Sequence, residues 1–138
     1  MYTEKIKRQF AEHVKLRGYD DQYIDRQEER EIMEFAVNQG LTVDEGLAIL
    51  VRVCQERNYT LERDIETRAF EMLTQFATND GKIDKKEFFD AVGIMQNMSK
   101  GKLSEVQCQK KAKQIVLDNN WQIKTGLFGG EPDWFKKI

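Results

Sequence analysis

Asp80, Asp84 and Glu87 are the residues whose types and spacing come nearest to doing chemistry. They lie in the run Asn79-Asp80-Gly81-Lys82-Ile83-Asp84-Lys85-Lys86-Glu87-Phe88, which reads as the second half of a calcium loop. An EF-hand loop supplies oxygens from positions 1, 3, 5, 7, 9 and 12, with glycine at 6 and a bidentate Glu at 12. Setting Gly81 at position 6 puts Asp80 at 5, Asp84 at 9 and Glu87 at 12. Position 1 then falls on Phe76, whose phenyl ring cannot ligate calcium. An earlier copy, Asp21, Asp25 and Glu28, has Arg17 at position 1 and Gln22 where glycine should permit the turn. Neither copy is an intact EF-hand. The narrower expectation is that Asp80, Asp84 and Glu87, joined by Asp21, Asp25 and Glu28 through a pseudo-twofold arrangement, hold calcium or magnesium through oxygen. Water would complete the shell.

The same groups have a second reading. Asp25/Glu28, Thr42/Glu45, Asp84/Glu87 and Ser104/Gln107 each place an N-cap acceptor three residues before a Glu or Gln that reaches back to the cap's own N–H. Capping therefore accounts for Asp84 and Glu87 without a metal. It leaves over Asp80, and Asp20-Asp21 in the earlier copy, as acids that neither capping nor packing requires.

These caps must sit on helices. The pattern predicts six, near 3–17, 25–39, 43–57, 61–77, 85–98 and 104–119, followed by a tail. Ile6, Phe10 and Val14 repeat at four-residue spacing in the first helix, and Leu61, Ile65, Ala69, Leu73 and Phe76 do so in the fourth. The third and fifth are apolar around much of their circumference, which marks them as central. Gly18, Gly40 and Gly101 precede helix starts, where a left-handed terminus calls for glycine.

Sliding the chain by 59 residues brings Ile6 onto Ile65, Val14 onto Leu73, Asp21 onto Asp80, Ile24 onto Ile83, Asp25 onto Asp84 and Glu28 onto Glu87. After a three-residue insertion near Ser99 to Lys102, Thr42 meets Ser104, and Asn58-Tyr59 meets Asn120-Trp121. The expectation is an all-α, single-domain helical bundle of two related three-helix units, about 1–59 and 60–121, each covering the other's apolar face. A C-terminal aromatic tail, 122–138, follows.

Two helical units, each with an Asp-Gly-x-Ile-type turn feeding an Asp-x-x-Glu helix, resemble the TerB-like family, the all-helical domain associated with tellurite resistance and related stress and phage-defence loci. The resemblance covers residues 1–121 and rests on Asn79 to Phe88; Gln22 departs from it in the earlier copy. It implies a compact bundle, an acidic divalent-cation site at the motif carboxylates, and service as an intracellular partner-binding module near membrane-associated complexes.

The tail packs two tryptophans, two phenylalanines and a Gly-Gly break into WQIKTGLFGGEPDWFKKI. Aromatics at that density are covered, either by the protein's own helices or by a partner anchored on Leu127, Phe128, Trp134 and Phe135. Catalysis has little to work with. His13, the sole histidine, borders the apolar stripe of the first helix, and no nucleophile elbow, phosphate loop or zinc-type spacing occurs. The expectation is a protein that is not an enzyme and carries no organic cofactor.

Composition bounds the rest. The 138 residues carry a net charge of −2, split as −6 over residues 1–99 and +4 over 100–138. Those C-terminal lysines are scattered and no arginine joins them, which argues against nucleic acid. Cys54 and Cys108 are expected to be buried free thiols. No window suggests membrane insertion and the start lacks a secretory core, so a cytoplasmic protein with a protein partner is expected. The competing readings are a structural subunit whose acidic turns are only helix caps, and a degenerate EF-hand calcium sensor.

Overall fold

The computed structural model describes residues 2–125 and 129–138. The chain is all-α and divides into two compact units, Met1–Arg63 and Asp64–Ile138. In the first, α1 (Tyr2–Gly18), β1 (Tyr23–Ile24), α2 (Arg26–Asn38), α3 (Val43–Arg57) and β2 (Thr60–Leu61) follow in order. α4 (Glu62–Ala77) starts in the first unit and continues into the second. There it is followed by β3 (Lys82–Ile83), α5 (Lys85–Ser99), α6 (Glu105–Asp118), β4 (Gln122–Ile123) and α7 (Asp133–Lys136). The tail is thus part of the second unit, although the sequence suggested a separate segment.

All four predicted capping boxes are made, at the N-termini of α2, α3, α5 and α6. Each satisfies two backbone N–H groups at the helix start, that of the third helical residue and that of the cap itself, and fixes where the chain turns inward. The predicted stripes face inward as well: Ile6, Phe10 and Val14 of α1 are buried with Ile32 and Ala36 of α2 and Leu50, Val53 and Cys54 of α3. Burial of a side chain the size of Phe10 contributes about 2–3 kcal/mol. In the second unit Ile65, Ala69, Leu73, Phe88, Val92, Met95, Cys108, Ala112 and Val116 are buried, while Phe76 is only half covered. Both cysteines are buried and unbridged.

The short strands went unpredicted. β1 pairs in parallel with β2, Tyr23 opposite Thr60 and Ile24 opposite Leu61. β3 pairs likewise with β4, Lys82 opposite Gln122 and Ile83 opposite Ile123. Tyr23 and Lys82 are 59 residues apart and Thr60 and Gln122 are 62 apart, the two offsets of the sequence duplication. Each unit therefore closes in the same way, by tying the loop after its first helix to the segment after its third.

Glycine has two different jobs here. Gly40 and Gly101 take positive φ, 99° and 86°, as a left-handed helix end requires. Gly18 does not; a Cβ there would lie 2.5 Å from the Tyr59 ring. Close packing, rather than backbone handedness, demands glycine at the end of α1. Tyr59 then reaches across to donate its hydroxyl to the Lys15 carbonyl at 2.8 Å.

Candidate functional site

Between α1 and α2 the chain turns a corner through Asp21 and Gln22. Gln22 donates its N–H to Gly18 O at 2.8 Å, and its carbonyl accepts from Thr60 N at 2.9 Å. The second corner repeats this with Gly81, bonded to Ala77 O and, through its carbonyl, to Gln122 N, both at 2.9 Å. Gly81 has φ 69° and Gln22 has φ 57°. The left-handed turn is thus made in both corners, and the missing glycine of the first copy is absorbed as local strain of about 1 kcal/mol.

The surplus acids have a backbone role after all. Asp21 Oδ1 accepts from Tyr23 N at 3.2 Å and Asp80 Oδ1 from Lys82 N at 3.0 Å. Each closes a turn on the N–H two residues ahead, which aims the following strand at its partner. Asp25 and Asp84 accept from the N–H groups of Glu28 and Glu87, both at 2.7 Å. Glu28 and Glu87 reach back to the N–H groups of Asp25 and Asp84 at 3.2 and 2.9 Å. Every one of the six candidate ligands therefore spends one oxygen on a backbone donor of its own corner. The expectation that Asp80 and Asp21 are surplus to the fold is corrected by these bonds.

A cation would have to draw on the remaining oxygens. Among the described residues, no group of three or more His, Cys, Asp or Glu side chains is assembled to hold a metal ion. The carboxylates do sense one another in the first corner. Burial, with the negative charges of Asp25 and Asp21, raises the Glu28 carboxyl above the usual carboxylate value against the backbone bond that lowers it.

Removing the Asp84 cap gives a direct measure of its role. Asp84→Ala is expected to lower stability by about 1 kcal/mol, and Asp84→Asn, which keeps an acceptor oxygen, by only a few tenths. Denaturant unfolding of the two variants checks this; equal losses would deny the capping role.

The proposed partner-anchoring residues are distributed differently. Leu127 and Phe128 lie outside the described residues. Trp134 and Phe135 are both on α7 and pack on the protein's own α5. Trp134 sits 5.4 Å from the rings of both Phe88 and Phe89, and Phe135 sits 5.7 Å from Phe88. Phe135 is 1% exposed and Trp134 half covered. Lys85 Nζ lies 5.7 Å from the Trp134 ring centre and Lys113 Nζ 4.8 Å from that of Phe135. Lys113 also donates to the Phe135 carbonyl at 2.8 Å. Cation–π attraction and this bond dock the tail onto α5 and α6. No sequence signal distinguished this from a partner contact, because aromatic content gives need for cover without giving the cover.

His13 is stacked on Phe35 of α2, ring centres 3.9 Å apart and nearly parallel. Its Nε2 is buried without a hydrogen-bond partner. Burial, and then the charge of Arg17, hold its imidazole below the ordinary value of 6.5. The unfolded chain takes up that proton near 6.5 while the folded chain resists it, so His13 leaves stability intact above 6.5 and erodes it as pH falls below. His13→Phe, which keeps the stack, is expected to flatten the decline in melting temperature between pH 7 and 5; an unchanged slope would contradict this.

No protein-family model, curated protein or solved structure matches the chain. Among the described residues no helix is long and apolar enough to cross a membrane.

Proposed function

We propose that the chain is a non-catalytic helical module of TerB-like type that works by binding a protein partner, and that its two acidic corners are internal fasteners. One observation carries this reading: all six corner carboxylates accept backbone N–H groups of their own corners. With His13 stacked on Phe35 as well, the groups best suited to chemistry are employed in holding helices. Function then falls to the helix surfaces.

The test is partner capture by the full chain, in calcium and in chelator, with wild type and with Asp80→Asn/Asp84→Asn. The same partner retained in all four arms is expected. Capture lost with the double variant or with chelator would give the second corner a direct binding role and contradict the proposal.

A further inference from the structure

The outer face of α2 carries a groove of about 630 Å³ lined by Arg26, Glu29, Arg30, Met33, Glu34 and Val37 among others. Arg26, Arg30, Met33 and Val37 follow at spacings of four, three and four, so they form one stripe along the helix. Val37 is 49% exposed and Met33 half covered, which leaves apolar surface in the middle and C-terminal part of the stripe. Two charges of the lining are answered within the first unit: Glu29, 8% exposed, pairs with Arg63 at 2.9 Å and with Arg26 at 3.4 Å. Arg30 and Glu34 are not answered. Arg30 donates to Gln27 Oε1 at 2.9 Å, and among the described residues it has no carboxylate partner and Glu34 no cationic one. Arginine one turn before glutamate is the weaker order for a pair within a helix, which leaves both charges facing outward.

We propose that this face pairs with the same face of a second copy, α2 lying antiparallel to α2 about a twofold axis. Residue 32 is the midpoint both of α2 and of the interval from Arg30 to Glu34. An axis there sets Arg30 of each copy opposite Glu34 of the other, so one self-complementary surface makes two ion pairs. The two Met33 side chains then stand about 3 Å apart along the helix direction and close the centre, while each Val37 meets the aliphatic stem of the other copy's Arg26. With arginine and glutamate in balance, the lining has no net charge to attract a strongly acidic or basic partner. It fits a surface bearing the same charges in reverse order, which is this surface after a half-turn. The pairing goes beyond the interaction-module reading and stands without it, since it needs no other protein. Its apolar part is small beside that of an obligate interface, and a dissociation constant of about 10–100 µM is expected.

Sedimentation equilibrium of the purified full chain, from micromolar to millimolar concentration, reads the pairing. A concentration-dependent rise from monomer to dimer mass is expected, weakened about tenfold or more by Arg30→Glu and by Glu34→Arg, each of which sets like charges against one another. An equimolar mixture of those two variants is expected to dimerise again, because every facing pair is then opposite in charge. So is the double variant Arg30→Glu/Glu34→Arg, in which the order is reversed. Both side chains are exposed, and recovery in the mixture rules out misfolding as the cause of either single loss. A wild-type chain that stays monomeric at millimolar concentration overturns the proposal. A dimer indifferent to both single changes overturns it by placing the contact elsewhere, and a mixture that stays monomeric does so by separating the two charges. A monomeric chain whose captured protein is released by Arg30→Glu gives the face to a different partner and overturns the pairing alone. Sedimentation involves no captured protein, so the pairing and the interaction-module reading fail independently.

Discussion

Phe88→Ala is expected to destabilise the protein by about 4 kcal/mol, the largest effect of any single change considered. The side chain is 0% exposed, so truncation loses its transfer energy and leaves a cavity that helices on either side close only in part. The loss does not stop at the core. Phe88 is the ring shared by Phe89, Trp134 and Phe135, all within 5.7 Å between centres. Its removal takes the floor from under α7, and the tail should become cleavable at Gly129-Gly130 before the rest of the unit unfolds. Denaturant unfolding gives the first effect and limited proteolysis the second. A loss below about 1 kcal/mol would mean that the site collapses freely, at odds with a close-packed interior.

Gly18→Ala is expected to cost about 2 kcal/mol, although alanine is the better helix former by about 1 kcal/mol. The sign is decided by the clash: the new methyl carbon would stand 2.5 Å from two atoms of the Tyr59 ring. The ring must swing away, which also breaks its bond to the Lys15 carbonyl. A double-mutant cycle with Tyr59→Ala isolates the cause. Once the ring is gone, Gly18→Ala should be neutral or stabilising. If it costs as much as before, backbone conformation and not packing explains the glycine.

What could be read from the sequence follows the range of the forces involved. Capping boxes at Asp25, Thr42, Asp84 and Ser104 were legible because donor and acceptor lie three residues apart. The stripe of Ile6, Phe10 and Val14 was legible because helical period alone sets its face. The 59-residue duplication was visible, but not the β1·β2 and β3·β4 pairs it carries, since two residues are too few to show a period. The bonds from Asp21 and Asp80 to the N–H groups two residues on were equally hidden, although a short acid before a strand is a common turn device. Reading those acids as unemployed made a cation site look more necessary than the backbone geometry does. The docking of α7 depends on Phe88, Phe89 and Lys113, far away in sequence, and local pattern contains nothing of it.

Thermal unfolding of the wild-type chain and of Asp84→Asn, each in chelator and in millimolar calcium or magnesium, puts the fastener role of the corner acids to the most direct trial. Anything that binds only the folded state raises its melting temperature with concentration. The corner geometry predicts melting temperatures indifferent to either cation and a variant within a degree or two of wild type. A wild-type melting temperature that climbs with calcium or magnesium, and a variant that fails to follow, would contradict it.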